Sequence, residues 1–580
     1  MFKYALNLIL LMLFFNLLTA QSRYNISGNI TNGNGQPVPF AHIVIDDYLK
    51  SSSADVDGNF AINGLTEGKH SITISSIGFL KLTENITISP ISLNSFTFNL
   101  TPTATDLNTV EVFGEREKQP EKLEVLTRLP LKPSEQIQSI SVISDQLIEK
   151  QGNLTISEAA RNVPGIYTFA TYGNVRESMS ARGFRGIPIV KNGVRINSDF
   201  RGVGVLTDMQ GVESIQVLKG SAAITQGIAT DLGSPGGVIN IVTKTPKFYD
   251  GGEVSLRLGS FDQIRPAFDI YGPVNESKTI AFRINGAYEH SGSYRKSVSG
   301  ERIYINPSLE FRPNEKTSIV LEMDYLDDSR TPDPGTINMA GNDSNAIYDL
   351  PYDKFLGFEE NRSSTINATY AVRLSREINK RLRFRAALFA SSLEADQFST
   401  GLSSGGGKGT ALPSLAEYNR RYRTIGQSSR IDNNSVLQVD LIGQDYVTGK
   451  MKHTFQVGMD YRNTYLETGG ASMGNLEYVD VVDVFEPISN SLPKMGKIYI
   501  PAVKDQNGNI ITPAKTEDAA IDLVDNPIVS SQNKSFGLMA QDVIDINSWT
   551  RVFMGVRMST NESSGSASHA VIKGQVFDPQ

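Results

Sequence analysis

Five histidines, at positions 42, 70, 290, 453 and 569, are the first place to look for metal or acid–base chemistry, and no two of them stand at a paired metal-binding spacing. No serine, histidine and aspartate are gathered by a motif that would organise a hydrolytic triad. Asp55, Asp57 and Asn59 open like a calcium loop. An EF-hand starting at Asp55, however, needs glycine at its sixth position and glutamate at its twelfth, where the chain has Phe60 and Thr66. That trio reads as a tight hairpin turn. The chain has no cysteine, which excludes a disulfide scaffold and N-terminal lipoprotein acylation. What remains is arginine set at alternate positions: Arg381, Arg383 and Arg385 stand opposite Leu382, Phe384, Ala386 and Leu388. Such a strand has one charged face and one apolar face, and if it crosses a bilayer the arginines cannot face lipid without large cost and are expected to face the lumen. The chain is therefore read as a non-enzyme with no cofactor and no protein-bound metal.

The elements that must carry these faces are β-strands. Residues 182–246 form a small glycine-dense α/β module. Ile187 to Val190 and Val194 to Asn197 flank Asn192-Gly193, a type I′ hairpin signal, and Ser214 to Leu218 and Val238 to Thr243 are further strands. Upstream, Thr155 and Glu158 make a capping box for a short helix that Pro164-Gly165 stops. From Gly251 onward about eleven strands alternate with no helical pattern. Connections near 273–278, 313–316, 376–381, 446–450 and 547–550 are short, whereas those at 328–363, 397–433 and 467–533 are long. Short and long connections alternating in strict order are the plan of an outer-membrane barrel, with tight periplasmic turns and elaborated outer loops. The formal charge of −7 offers no electrostatic basis for nucleic-acid binding. Slightly negative mean hydropathy is no obstacle to a barrel, because barrel strands are polar at every second residue. Ala5 to Ala20, preceded by Lys3, is too short to span as a helix and reads as a cleaved signal peptide (1–20).

The ordered phrases ARGFRG, VKNGVRINSDF, VESIQVLKGSAA and SPGGVINIVTKTP resemble the plug domain of TonB-dependent outer-membrane receptors, particularly those for ferric siderophores. Residues 22–100, with GNITNGNGQPVPFAHIVI, DVDGNFAINGL and SITISSIGF, resemble the carboxypeptidase-regulatory-like, transthyretin-type β-sandwich found ahead of many such receptors. The fold class expected is thus mainly β: the sandwich (22–100), a linker (101–119), a small α/β plug (120–247) and a transmembrane antiparallel barrel (248–580). The barrel has 22 strands in the family. Residues 248–580 are too few for that number, and KGQVFDPQ is not a terminal aromatic strand, so the barrel is expected to be partial.

The resemblance also implies roles. The β-prone island Thr109, Val110, Glu111, Val112 and Phe113 would be the TonB box, an unpaired strand offered to TonB of the inner-membrane TonB-ExbB-ExbD complex. On the residues alone the same island could close the preceding sandwich, although its charged and proline-bearing flanks favour detachment. Apical plug loops would place Tyr172, Arg176, Phe200 and Arg201 against a bulky anionic chelate, and Arg182 and Lys219 would lock plug to barrel. The function implied is import of ferric siderophores across the outer membrane by a lipid-embedded, monomeric barrel with its N-terminal domain and linker in the periplasm. The alternatives are a SusC-like importer of glycans or peptides, or a receptor for haem, ferric citrate or cobalamin. LKGSAA and SPGGVINIVTK favour the siderophore type.

Overall fold

A computed structural model describes residues 24–33, 35–45, 50–76, 79–90, 94–101, 128–132, 135, 139–170, 174–175, 177–195, 207–220, 236–335, 337, 343–405, 412–415, 417–474, 477–547, 549–567 and 570–573. The leader 1–20 and the linker with residues 109–113 lie outside them. The chain divides into two compact units, Met1–Arg116 and Glu117–Gln580.

The first unit is the expected sandwich. One sheet has the order β4 (Asn59–Leu65), β1 (Tyr24–Asn32), β7 (Ser95–Leu100), with β1 and β7 parallel. The other has the order β3 (Lys50–Ser53), β2 (His42–Ile45), β5 (Gly68–Ser75), β6 (Leu82–Ile88). Alternate residues of both sheets meet in a core that includes Ile26, Ile30, Ile43, Ile45, Ile72 and Phe98. Strand β3 is a strand the sequence does not announce: Lys-Ser-Ser-Ser has no apolar alternation and is recruited by pairing with β2. The Asp55 loop is a closed turn. Its Oδ1 accepts the backbone N–H of Asp57 at 2.9 Å and of Asn59 at 2.8 Å, and Gly58 takes φ +78°. The backbone N–H of Asn59 is the main reason the Asp55 carboxyl is held below its ordinary pKa.

In the second unit the plug comes first. It comprises β8 (Ser139–Ser144), α1 (Asp145–Lys150), α2 (Ile156–Ala160), β9 (Ile166–Ala170), β10 (Ser178–Ala181), β11 (Phe184–Arg185), β12 (Ile189–Lys191), β13 (Val194–Arg195), β14 (Val212–Lys219) and β15 (Gly237–Thr243). These make a five-stranded sheet, β13-β12-β15-β14-β8, and a three-stranded one, β11-β10-β9. The capping box forms as read from sequence: Thr155 accepts from the Glu158 N–H while the Glu158 carboxylate accepts from the Thr155 N–H. The hairpin turn forms too, with Asn192 at φ +48° and Gly193 at φ +78°. Helices α1 and α2 lay Ile148, Ile156, Ala159 and Ala160 on the sheet residues Ile143, Val212 and Ile215.

The wall follows as twelve strands in one antiparallel row: β16 (Gly251–Leu258), β17 (Ile264–Pro273), β18 (Ile280–Ser291), β19 (Gly300–Asn314), β20 (Thr317–Arg330), β21 (Arg362–Asn379), β22 (Leu382–Ser403), β23 (Arg420–Thr448), β24 (Met451–Ser472), then β31 (Val529–Asp545), β32 (Arg551–Ala567) and β33 (Ala570–Lys573). Between β24 and β31 lie six short strands. β25 (Asp480–Asp483) pairs with β23 and β30 (Val524–Asp525) with β24. β26 (Met495–Ile500) pairs with β29 (Lys515–Ala520), and β27 (Val503–Lys504) with β28 (Ile510–Thr512). Alternation sorts the wall as expected: Val254 (80 % exposed) and Val556 (68 %) point outward to where lipid would be, while Asn285, Asp324, Asp460 and Gln456 are buried inward. Arg383 and Arg385 share the inward face of β22 with Phe389 and Leu393.

The loop parity holds, but one long connection is shorter than the sequence led us to expect. Strands β22 and β23 stay paired from Leu382↔Gly443 to Ser403↔Tyr422, which reduces 397–433 to 404–419. The upper part of this hairpin carries Glu394 and Asp396 on the outward face, exposed, so an apolar/polar alternation no longer marks it. The outer loops pack into one cap. Buried Arg423 pairs with Asp480, donates to the Ser489 carbonyl at 2.9 Å and stacks 4.0 Å over Phe358, and Asn490 donates to the Gly357 carbonyl at 2.7 Å.

Plug meets wall closely at Gly211, where a Cβ would sit 1.8 Å from the Tyr304 hydroxyl. Gly211→Ala is expected to lower plug stability by about 1–3 kcal/mol, the usual cost of overpacking. Thermal melting of the purified protein in detergent tests this, with partial recovery in the Gly211→Ala, Tyr304→Phe pair.

Candidate functional site

Buried charge where plug meets wall has to be paired across the contact or within the wall, since it is cut off from bulk water. Three buried clusters do this. Lys191, the last residue of β12 before the Asn192-Gly193 turn, brings its ammonium to 2.6 Å from the Asp324 carboxylate, an ion pair whose angles are off hydrogen-bond alignment. The Tyr304 hydroxyl donates to the same carboxylate. Asp208, immediately before the 3-10 turn Met209–Gly211, accepts from Arg265 of β17 (2.5 and 3.1 Å) and from Arg302 of β19 (3.3 Å). Arg265 also pairs with Glu289, and Arg302 with Asp328. Arg128 makes the third cluster. Its Nη1 donates to Asp460 at 2.9 Å, its Nε and Nη2 donate to Asp440, and its backbone sits at φ +60°, a left-handed conformation that the bidentate grip holds in place.

The electrostatics follow from burial and partners. Burial alone would raise the Asp208 carboxyl. The guanidiniums of Arg265 and Arg302 overcome it and hold the group below its ordinary range. Within the plug, Asn240 Oδ1 accepts the Gly193 N–H at 2.7 Å and Asn192 donates to Thr243 at 2.8 Å, so the turn that presents Lys191 is fixed from behind. Apolar contacts complete the seat: Val194 packs on Ala371, Phe389 and Val436, and Leu129 and Leu131 pack on Val543.

At the long-loop end, the β9–β10–β11 sheet offers exposed aromatics. Tyr167 (49 %), Phe169 (46 %) and Phe184 (46 %) stand open, and the Arg185 guanidinium lies 4.0 Å over the Phe169 ring. Asn174, at the edge of this apex, accepts from Arg330 at the outer end of β20 at 2.8 Å. The described part of the apex thus has the aromatic and arginine composition expected of a cup for a bulky anion.

Of the residues singled out from sequence, Tyr172, Arg176, Phe200, Arg201 and the 109–113 island lie outside the described residues. Arg182 is described at φ +50°, beside Gly220, and Lys219 donates to the Pro164 carbonyl at 3.5 Å within the plug. Among the described residues plug–wall ion pairs run through Arg128, Lys191 and Asp208, with Lys244–Asp269 (2.9 Å) and Glu135–Arg551 (3.8 Å) beside them. Lys191 stood in the VKNG phrase as a turn flank only. Nothing in the sequence pairs Arg128 with a residue 312 positions away.

The comparisons agree with this geometry. Residues 132–238 match the TonB-dependent Receptor Plug Domain and residues 26–112 the CarboxypepD_reg-like domain. The metal-pseudopaline receptor CntO of Pseudomonas aeruginosa is 24 % identical over 72 % of this chain and 53 % of its own length. The ferrioxamine B receptor of Salmonella typhimurium is 26 % identical over 64 % of this chain and 51 % of its own. The crystal structure of the ferripyoverdine receptor of the Pseudomonas aeruginosa outer membrane, bound to ferripyoverdine, superposes with a TM-score of 0.62 at 19 % identity, covering 83 % of this chain and 58 % of that one. The chain spans about half the length of these curated relatives.

Arg128→Met is expected to destabilise the plug by about 3–5 kcal/mol, because it strips the bidentate guanidinium from buried Asp440, whereas Asp460 keeps Arg557 at 2.8 Å. Adding Asp440→Asn should recover part of that loss, and limited proteolysis of the purified protein reads both. Because the Asp208 pKa is depressed on folding, its contribution is present above the unfolded carboxylate value and is lost as pH falls through the lower folded one. The melting difference between the wild type and Asp208→Asn should therefore be largest near neutrality and shrink below about pH 4.

Proposed function

We propose that this chain, a TonB-dependent receptor in its plug and barrel wall with a carboxypeptidase-regulatory-like domain ahead of them, binds ferric siderophores at the cell surface. It then imports them across the outer membrane with energy transduced by TonB. The observation that carries the reading is the plug apex. Exposed Tyr167, Phe169 and Phe184, with the Arg185 guanidinium over the Phe169 ring, lie on the plug sheet whose Asn174 loop meets Arg330 at the outer end of β20. Rigid aromatic area and planar cationic donors are what a large, metal-wrapped anion needs, and the metal arrives already coordinated, so no protein ligands are required. Relatives whose names specify a metal–pseudopaline complex and ferrioxamine B support a chelate over a glycan or peptide.

In this reading Tyr172, Arg176, Phe200 and Arg201 extend the apical contact surface, and Arg182 and Lys219 act as further plug locks. The Thr109–Phe113 segment pairs as an added strand with TonB, and the 22–100 domain and linker lie in the periplasm. The domain limits 1–20, 22–100, 101–119, 120–247 and 248–580 are part of the same proposal.

Deleting residues 109–113 is expected to abolish uptake of iron-55 siderophore while leaving its binding to iron-starved cells unchanged. Uptake that survives the deletion removes the TonB step, and absence of binding to any of a hydroxamate, catecholate and mixed-ligand panel removes the siderophore reading.

A further inference from the structure

Among the described residues the sandwich has four edge strands, β3, β4, β6 and β7, and three of them are protected. β3 carries Lys50, β6 carries Glu84 in its middle, and β4 shifts its register against β1 between Tyr24 and Ile26 and holds Gly64 at φ +78°. β7 has no such device. Its sequence, SFTFNL, contains no charge and no proline, and among the described residues it pairs with β1 alone. A bare edge of this kind is a template for one more strand. The core is also unfinished beside it: Phe98 and Leu100 are buried, but Phe96, its ring 6.2 Å from that of Phe98, is only partly buried at the rim.

Three observations point to the occupant. The CarboxypepD_reg-like match runs on to residue 112 although β7 ends at Leu100, so the family unit takes in chain beyond this strand. The Thr101 carbonyl accepts the Leu80 N–H at 2.8 Å, which keeps the chain against the sandwich as it leaves β7. Residues 102–108, at about 3.3 Å each when extended, are enough for a hairpin return, and the Thr109–Phe113 island that follows alternates as β7 does. Val110 and Val112 share one face of it, and Thr109, Glu111 and Phe113 the other.

We infer that Thr109–Phe113, which lies outside the described residues, docks as a strand on the free edge of β7 with Val110 and Val112 covering Phe96, and that it exchanges this edge for TonB. This rests on the reading of 109–113 as the TonB-pairing segment and adds the place where the segment is held until TonB arrives. The two partners exclude one another, because strand addition to either uses the same backbone N–H and C=O groups. A tether this short gives an effective concentration on the order of millimolar, so a few hydrogen bonds hold the segment and TonB has to displace it.

The chain has no cysteine, so introduced pairs report without background. Thr97 and Asn99 are exposed on β7, and Ala61 is exposed on β4, the opposite edge of the same sheet. In the purified full chain, Glu111→Cys is expected to form a disulfide with Thr97→Cys or Asn99→Cys on mild oxidation, and not with Ala61→Cys. Equal cross-linking to Ala61→Cys, or covalent dimers of the Thr97→Cys single variant that place a second copy on the edge, overturns the docking. The Thr97→Asp, Asn99→Asp pair sets two carboxylates beside Glu111 and is expected to raise the affinity of the full chain for the purified periplasmic TonB domain several-fold. In a Glu111→Lys background the same pair is expected to lower it. An affinity that the aspartates leave unchanged in both backgrounds overturns the exchange. If deleting 109–113 leaves TonB binding intact, the TonB reading itself falls, and the cross-linking result stands apart from it.

Discussion

A barrel wall one strand thick must satisfy two solvents with alternate residues of the same strand. On β20, Leu321 and Tyr325 look outward while Glu322, Asp324 and Asp328 look inward, and neither set can be exchanged for the other without placing charge in lipid or oil in a polar lumen. The inward carboxylates then create a demand that the wall alone does not meet. Some are met by neighbouring arginines on the wall, as Asp432 is by Arg430 at 2.8 Å, and others by the plug, as Asp324 is by Lys191. The plug is thus retained by charge supplied at a few points, with apolar contacts such as Val194 and Leu129 fixing its depth.

That arrangement makes retention of the plug conditional on its ion pairs. Buried ion pairs contribute little net stability over an apolar core of the same shape, but leaving one partner alone is costly. The plug is consequently secure while every pair is satisfied. It becomes labile when one charge is offered a different partner.

Much of this was legible in the sequence because it depends on local rules. Asn192-Gly193 needs two positive φ values and obtains them; Thr155 and Glu158 cap a helix; the period-2 faces of β18, β20, β22 and β24 come out with the orientation their residues dictate. Connection lengths revealed the two ends of the wall before any coordinate did. Helix α1 escaped because six residues, DQLIEK, are too few to show a period, and what makes them helical is the Ser144 cap and the sheet beneath. The lock residues escaped for a different reason. Pairing Arg128 with Asp440, or Lys191 with Asp324, requires the height at which the plug sits in the wall, and no local pattern encodes that height. Similarly, β22 and β23 outrun their apolar alternation because pairing alone sustains them.

The outer cap has its own implication. Loops that each ended in water could respond to a visitor separately, but here Phe358, Ile425, Met473 and Val479 share one dry interior and Arg423 fastens its edges. The described parts of the 331–361 and 473–528 loops therefore share one packed interior, so a force on one is transmitted to the other. Movement of these two loops is thereby coupled and turns about the strand ends near Arg330, Arg362 and Ser472.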